Sequence, residues 1–386
     1  MIHLLRQIFH FLFHDPHMLV IMGWERIAPY FTTDKFFMKV KYRIIIGYWM
    51  DFDNPRTFNE KLQWLKFNNI HPEYTQMVDK VAAKDYVRNI IGDEYIIPTL
   101  GVWNSVDEID WNSLPDKFVI KGAGDSGSVV ICTDKKNFDI GKAKAHLKKT
   151  CKRNYSLTSK EYPYYNVPRR FIAEELLENE RHDVGPDFVI ICSDGIPSGD
   201  NCSEEIKKIC LELAGKTQKA KLEFFKINGT EWYVDLTDLT IGNITGYSVF
   251  IENGIKIIRS KNPNKDIVDY KFFCFDGTPF CYKMDFGRGV EHHANYYDLE
   301  GTFLPFGELG FHFLKEKKFF QPTNFQEMLD IVTKLCQGFP FIRVDLYNVS
   351  GRIHFGELTF FPYSGMMKFA PEEWDYKLGE LLKIGK

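Results

Sequence analysis

Two carboxylates and a guanidinium, Asp345, Glu357 and Arg343, are the residues of this chain whose types and spacing most directly imply chemistry. They lie in Phe341-Ile-Arg343-Val-Asp345-Leu-Tyr and in Gly356-Glu357-Leu-Thr359, either side of the turn signal Ser350-Gly351. Val344, Leu346, Ile353 and Phe355 alternate with polar neighbours, which predicts a hairpin with the two acids side by side on adjacent strands. Paired carboxylates can hold Mg²⁺. An arginine two residues before an aspartate shares its strand face and can grip a phosphate that the metal also touches. Taken alone, such residues are more commonly a surface hairpin with an exposed ion pair.

The elements upstream bear on that choice. Residues 118–121 predict a strand ending in Lys121, which runs into Gly122-Ala-Gly124-Asp-Ser126-Gly127-Ser128 and returns as the strand 129–132. A lysine at a strand end beside a glycine-rich tip is suited to phosphate, because glycines admit close approach of main-chain N–H groups and the serines add donors. The tip matches neither a Walker A loop nor GxGxxG, and an ordinary hairpin turn has the same composition. Residues 79–88 predict a helix carrying Lys80, and 95–98 a strand after it. The segment 170–177 predicts a further strand whose Glu174-Glu175-Leu176-Leu177 end could meet an adenine and a ribose, or be a solvent-facing sheet edge.

At 386 residues the chain is long enough for two or three lobes. A formal charge of −3 argues against a nucleic-acid protein held by bulk charge, and none is expected as a partner. The 8 cysteines form no CxxC pair and no tight cluster with histidine, which fits free thiols in a reducing cytoplasm. Residues 1–14 are apolar but interrupted by Arg6 and histidines, too short to span a bilayer. Packing on the first lobe is expected of them, with peripheral contact at the inner membrane face as the alternative.

In this order, the lysine helix, lysine-glycine hairpin, Glu-Glu-Leu-Leu, Arg-x-Asp and Glu-x-Thr resemble the ATP-grasp superfamily. Within it the chain resembles the TupA-like family, associated with surface-polysaccharide synthesis. The specific phrases are Thr57-Phe-Asn-Glu60-Lys61-Leu-Gln-Trp64-Leu65-Lys66, Asp79-Lys80, Ile97-Pro98-Thr-Leu-Gly101-Val-Trp103, Asp269-Tyr-Lys271-Phe-Phe-Cys-Phe-Asp276-Gly277, the hairpin with its Phe339-Pro lead, and Trp-Asp-Tyr-Lys377-Leu-Gly379. The resemblance implies an α+β ATP-grasp fold, with two subdomains gripping ATP. Its parts would be a helical region 1–78, a phosphate-loop subdomain 79–180, an inserted α+β module 181–267 and a metal-binding subdomain 268–386.

Carried over by residue, the resemblance makes Lys80, Lys121 and Lys271 nucleotide ligands. Gly122, Gly124, Ser126, Gly127 and Ser128 become the phosphate loop, and Glu174, Glu175 and Leu177 the adenine hinge. Asp345, Glu357 and Thr359 would form the Mg²⁺ shell, with threonine where relatives often carry asparagine. Arg343 would stabilise an acyl-phosphate intermediate. Arg288 and His292, in Asp285-Phe-Gly-Arg288-Gly-Val-Glu291-His292-His293, would hold an acid and orient an amine. The loop departs from relatives, which typically carry Asn-His where this chain has Ala123-Gly124.

The module also contains an echo. Asp187-Phe-Val-Ile-Ile-Cys192-Ser-Asp194-Gly195-Ile-Pro197 aligns without a gap on Asp269 to Pro279, and Lys221, Glu223, Asp235 and Thr237 then fall on Arg343, Asp345, Glu357 and Thr359. A partial second copy of the strand-helix-hairpin unit is one reading, and chance similarity between amphipathic stretches the other.

The function implied is an ATP-dependent carboxylate–amine ligase working through an acyl phosphate on a capsular or surface polysaccharide or its uronic-acid precursor. Its partners would be small-molecule or glycan acids and amines. A glycosyltransferase is the alternative, since Asp51-Phe-Asp53 has the spacing of a metal-binding Asp-x-Asp, although Asn54-Pro55 follows it. A non-catalytic relative is the third reading, motivated by the altered loop and the insert.

Overall fold

The computed structural model describes residues 16–125, 127–151, 155–178, 188–193, 196–198, 219–224, 226–227, 230–231, 247–252, 255–260, 267–286, 293–309, 321–322, 324–349 and 351–385. The chain opens with helices. α1 (Pro16–Ile27) packs on α2 (Asp34–Ile46), whose start is capped by the Thr33 side chain and whose end is turned by Gly47 at φ 112°. Trp24 stacks on Phe37, ring centroids 6.1 Å apart, and Phe37, Met38 and Tyr42 form a small core with Met50 and Phe52. No described helix is long and apolar enough to cross a membrane. Residues 1–14 lie outside the described ones.

α3 (Phe58–Asn68) begins with a complete capping box, Thr57 and Glu60 satisfying each other's main-chain N–H groups. α4 (Tyr74–Val78) and α5 (Ala82–Ile91) follow. Residues of all three enter one large apolar core with the C-terminal sheet: Phe58, Leu62, Tyr74, Val78 and Val87 meet Phe272, Phe341 and Leu358. Packing therefore groups residues 58–91 with the C-terminal half, and a boundary at 78 falls inside this core.

The first sheet holds β1 (Thr99–Trp103), β2 (Phe118–Gly122), β3 (Val129–Cys132) and β4 (Phe171–Glu175) in the antiparallel order β1-β4-β2-β3. α6 (Ile140–Thr150) covers it through Leu147, and α7 (Tyr155–Ser159) leads back toward β4. The predicted strand at 95–98 is displaced. Asp93–Tyr95 is a 3₁₀ turn and β1 starts at Thr99, just after Pro98, which has no N–H to give to a ladder.

In the module, β5 (Phe188–Ser193), β6 (Ile196–Ser198), β7 (Lys219–Phe224), β10 (Tyr247–Glu252) and β11 (Ile255–Ser260) form a sheet ordered β10-β11-β7-β5-β6, with β8 (Lys226–Ile227) and β9 (Thr230–Glu231) as a separate hairpin. The C-terminal sheet is β12 (Asp269–Phe275), β13 (Thr278–Phe286), β14 (His293–Asp298), β15 (Phe303–Leu304), β17 (Phe341–Val349) and β18 (Arg352–Thr359), ordered β15-β14-β13-β12-β17-β18. β16 (Gly307–Glu308) pairs with β19 (Phe369–Ala370); α8 (Phe325–Leu335) and α9 (Glu373–Leu381) complete the half.

The registers of module and C-terminal sheet coincide at three places under the alignment read from sequence. Cys192 faces Pro197 as Cys274 faces Pro279. Val189 faces Glu223 as Lys271 faces Asp345. Lys226 faces Glu231 as Asn348 faces Ile353. They part on the other side of β7, whose neighbour β11 is parallel, whereas β17 has the antiparallel β18. Asp235 and Thr237 lie outside the described residues.

Candidate active site

On the first sheet Lys121 lies next to the end of β2, and Glu174 lies on the neighbouring interior strand β4. The Glu174 carboxylate is buried and takes Lys121 Nζ at 2.7 Å on one oxygen and Lys84 Nζ at 2.6 Å on the other. Lys84 also donates to Ile97 O at 2.6 Å and to Thr99 Oγ1 at 2.9 Å. Burial pushes the Glu174 carboxyl up, but Lys121 and then Lys84 outweigh it and hold it below its ordinary range. In this structure the carboxylate of the predicted hinge is thus engaged by two ammonium groups, while Glu175 is exposed and Leu177 half-buried. The helix expected over 79–88 begins only at Ala82, which leaves Lys80 in the turn before it; Lys84, on its first turn, was given no role from sequence.

The glycine loop is held from within. Gly122 N donates to Ser128 Oγ at 3.0 Å, and that buried hydroxyl donates in turn to the Asp125 carboxylate. A Cβ on Gly122 would stand 2.4 Å from Ser128 Oγ, so a side chain there would displace the hydroxyl that closes the loop. Ser128 therefore closes the loop rather than facing outward; Ser126 lies outside the described residues. Lys80 Nζ donates to Asp125 O at 2.6 Å and its N–H to Ala123 O at 3.0 Å. Ala123 is itself buried and donates to Arg170 O at 2.9 Å, while Arg170 reaches Asp79 at 2.5 Å. A Cβ on Gly124 would lie 2.6 Å from Val167 Cγ1. The loop's departure from Asn-His thus has a local counterpart, because Val167 fills the space a larger residue at 124 would need.

The late hairpin supplies the opposite wall. Asp345 on β17 faces Glu357 on β18, with a bulge immediately after Asp345. Asp345 is buried and receives Arg343 Nε at 2.7 Å and Lys271 Nζ at 2.6 Å. Arg343 also donates to Glu357 Oε1 at 2.8 Å and Thr359 Oγ1 at 3.1 Å, and that hydroxyl donates to Glu357 at 3.1 Å. Burial acts against the charged forms of Asp345 and Arg343. Their mutual attraction outweighs it, so the carboxyl is held down and the guanidinium up. Lys271 is likewise held charged against its burial by Asp345 and Asp269.

Lys271 belongs to a cross-strand row that runs Glu357, Asp345, Lys271, Lys283, Tyr296 through directly opposed pairs on β18, β17, β12, β13 and β14. Lys283 contacts Glu308 at 2.9 Å and Asp285 at 3.3 Å. Asp269, Asp285, Lys283 and Glu308 were not singled out from sequence; the signal available was polar residues at alternate positions of strands otherwise rich in aromatics. Arg288 and His292 lie outside the described residues, between β13 and β14.

The two walls meet at Lys80. Burial pushes its ammonium down, opposed first by Glu357 and then by Asp125, with Glu174 contributing as well. Tyr164 stands among the same groups: its phenol, pushed up by burial, feels Glu161, Glu357, Arg343 and Asp125. Lys80, bonded to the glycine loop at Asp125 O, thus lies within the electrostatic reach of Glu174 on the first sheet and of Glu357 on the late hairpin. Asp51-Phe-Asp53 is elsewhere and forms a turn, with Asp51 Oδ1 accepting from Asp53 N at 2.9 Å and Asn54 N at 3.1 Å.

The described residues contain no group of three His, Cys, Asp or Glu side chains placed to hold a metal. Mg²⁺ does not need one, because it takes one or two carboxylates with substrate phosphates and water. Asp345 and Glu357, opposed on adjacent strands, fit that donor set, and Arg343 now bridges them.

Lysines and a glycine loop on one antiparallel sheet, with an acid hairpin on a second, are the parts of an ATP-grasp protein. The family model described as TupA-like ATPgrasp matches residues 60–201 and 218–383, and the chain belongs to that family. The match enters the module on both sides and leaves only 202–217 unmatched within it. No curated protein matches the chain.

Proposed function

We propose that the protein is an ATP-dependent carboxylate–amine ligase acting on an acidic sugar or a polysaccharide that carries one. The observation that carries this reading is the grouping of charge: Lys84 and Lys121 pair with Glu174, Asp345 opposes Glu357, and Lys80, bonded to the loop at Asp125 O, lies within the electrostatic reach of both Glu357 and Glu174. Such an arrangement suits a triphosphate, whose charge the lysines offset.

Asp345 and Glu357 would hold Mg²⁺, which when bound neutralises phosphate charge. The chain's own contribution is positioning. Glu174 holds Lys121 and Lys84 in place, and the buried Ser128 hydroxyl fixes the loop shape. Arg343, held between Asp345 and Glu357, is placed to turn to the transferred phosphoryl group. In the reaction a substrate carboxylate oxygen bonds to the γ-phosphorus as the bond to ADP breaks. An amine nitrogen then bonds to the acyl carbon, phosphate leaves, and the amine proton passes to a base. The products are an amide, ADP and phosphate.

The test is ADP release from the purified protein with ATP, Mg²⁺, uronic acids and amino acids. The proposal predicts release that requires an acid and is abolished by Glu357→Gln. UDP release from a nucleotide sugar without ATP would overturn it in favour of glycosyl transfer. ATP binding with no acid-dependent turnover would favour the non-catalytic reading.

A further inference from the structure

The two most exposed large apolar residues among the described ones are neighbours in the chain, Phe31 at 82% and Tyr30 at 68%. They form the tip between α1 and α2, and that tip is an ordered turn. Ala28 O accepts from Phe31 N and Thr32 N, both at 3.0 Å, and from Thr32 Oγ1 at 2.8 Å, after which Thr33 caps α2. Two aromatic side chains are thus presented to water from a fixed backbone, which is unfavourable until something covers them. The apolar surface continues behind the tip. Of the 15 exposed large hydrophobic residues among the described ones, 7 fall within residues 20–49, so the exposure is concentrated on this hairpin and is not the ordinary scatter.

The charge around the tip has one sign. The outward face of α1 is Val20, Met22, Arg26 and Ile27, and on α2 Lys35, Phe36, Lys39 and Arg43 share a face that Asp34 lies off. Phe36 meets Trp24 of α1 edge-on at 6.3 Å, so the two faces adjoin. The hairpin's two acids are neutralised, Glu25 by Lys41 at 2.6 Å and Asp34 by Lys160 at 2.7 Å. Arg26, Lys35, Lys39 and Arg43 have no acid partner among the described residues; Lys35 and Lys39 rest on the Phe52 ring, which leaves their charge in place. Residues 16–49 hold five Lys or Arg against two Asp or Glu in a chain of formal charge −3, and residues 1–14, which lead into α1, are mostly apolar with Arg6 and no acid. Aromatic residues at a projecting tip with cations set behind them match a bilayer, whose apolar layer lies beneath anionic phosphates. No described helix is long and apolar enough to cross one, so the contact is with its surface.

We infer that the α1–α2 hairpin docks on an anionic lipid bilayer, with Tyr30 and Phe31 entering the interface and Arg26, Lys35, Lys39 and Arg43 meeting lipid phosphates. The test is sedimentation of the full chain with vesicles of phosphatidylcholine alone and of phosphatidylcholine mixed with phosphatidylglycerol, over a series of salt concentrations. The chain binds the mixed vesicles about tenfold or more tightly than the neutral ones, and added salt weakens that binding. Tyr30→Ser with Phe31→Ser weakens it about tenfold, as does Lys35→Gln with Lys39→Gln, and thermal melts of both variants stay close to the wild type because the substituted side chains lie at the surface. Phe31→Trp keeps the binding, and the emission it adds over the wild type shifts to the blue with mixed vesicles and is quenched by brominated lipid.

A wild type that leaves the mixed vesicles unbound, or binds both kinds equally, overturns the inference, as does undiminished binding by the two double variants. Vesicle-bound Phe31→Trp whose added emission is neither shifted nor quenched also overturns it, and assigns the contact to another part of the chain. Self-association abolished by Tyr30→Ser with Phe31→Ser, without vesicle binding, overturns it in favour of a second copy as the occupant. No nucleotide or acid takes part, so these outcomes leave the ligase reading untouched.

Discussion

At the scale of residues, burial decides which substitutions report on chemistry. Asp345 is 1% exposed and holds Arg343 and Lys271 together, so Asp345→Asn leaves buried cations poorly paired and is expected to destabilise by about 3–5 kcal/mol. Glu357 has a side chain 46% exposed, and its loss is expected to cost no more than about 1 kcal/mol of stability. Denaturant melts should show this contrast, which makes Glu357→Gln the cleaner probe of activity. Glu174→Gln is expected to behave like Asp345→Asn, losing about 3–5 kcal/mol because Lys84 and Lys121 lose their shared partner, and to weaken ATP binding measured by calorimetry. The residues legible in the sequence were those at the ends of recognisable strands and loops: Lys121, Glu174, Asp345, Glu357. Lys84, Lys283 and Glu308 were not, because a lysine or glutamate on a helix or strand reads as a solvated face until tertiary contacts bury it.

At the scale of elements, the long-range tether from α3 matters most. Lys66 donates to Ser159 O and Ser364 O, lies 4.0 Å from Glu161, and so joins three segments distant in sequence. Burial pushes Lys66 down to about 7 and Glu161 up, each opposed by the other's charge. Lys66→Met strands a buried acid and is expected to cost about 3–5 kcal/mol, whereas Lys66→Met with Glu161→Leu should recover part of that loss. Additive losses in the double variant would show that the pair is not coupled. The hairpins and most helices could be read from turn residues and apolar spacing. The start of β1 could not be read so directly, since Ile96 and Ile97 continue an apolar run that Pro98 cuts off from the ladder. The joining of α3, α4 and α5 to the C-terminal core was also hidden, because an amphipathic helix shows that it has an apolar face but not which sheet receives it.

At the scale of the whole molecule, the ionised groups make stability depend on acid in two opposite ways. Glu174 and Asp345 are held below the 4.5 and 3.8 of ordinary carboxyls, so as pH falls through that range the unfolded chain takes up protons first and stability is lost. Asp375, raised by burial to about 6 against its Asn59 hydrogen bonds, acts in the other direction. Between 3.8 and about 6 the folded protein holds the extra proton, and stability falls as pH rises. Thermal melts across this range should show Glu174→Gln losing part of the decline below pH 4.5, the Asp345 share remaining, and Asp375→Asn losing the decline on approach to 6. The family resemblance made the α+β ATP-grasp fold legible before any coordinates, whereas the module's coincident registers required the strand pairings themselves. Positional isotope exchange is the direct test of the proposed activation of an acid by phosphorylation. With ATP labelled at its βγ-bridge oxygen, Mg²⁺ and a uronic acid but no amine, the protein should scramble the label into the β-nonbridging positions, and Glu357→Gln should not. Absence of acid-dependent scrambling in a wild-type protein that binds both ATP and the acid would contradict the claim.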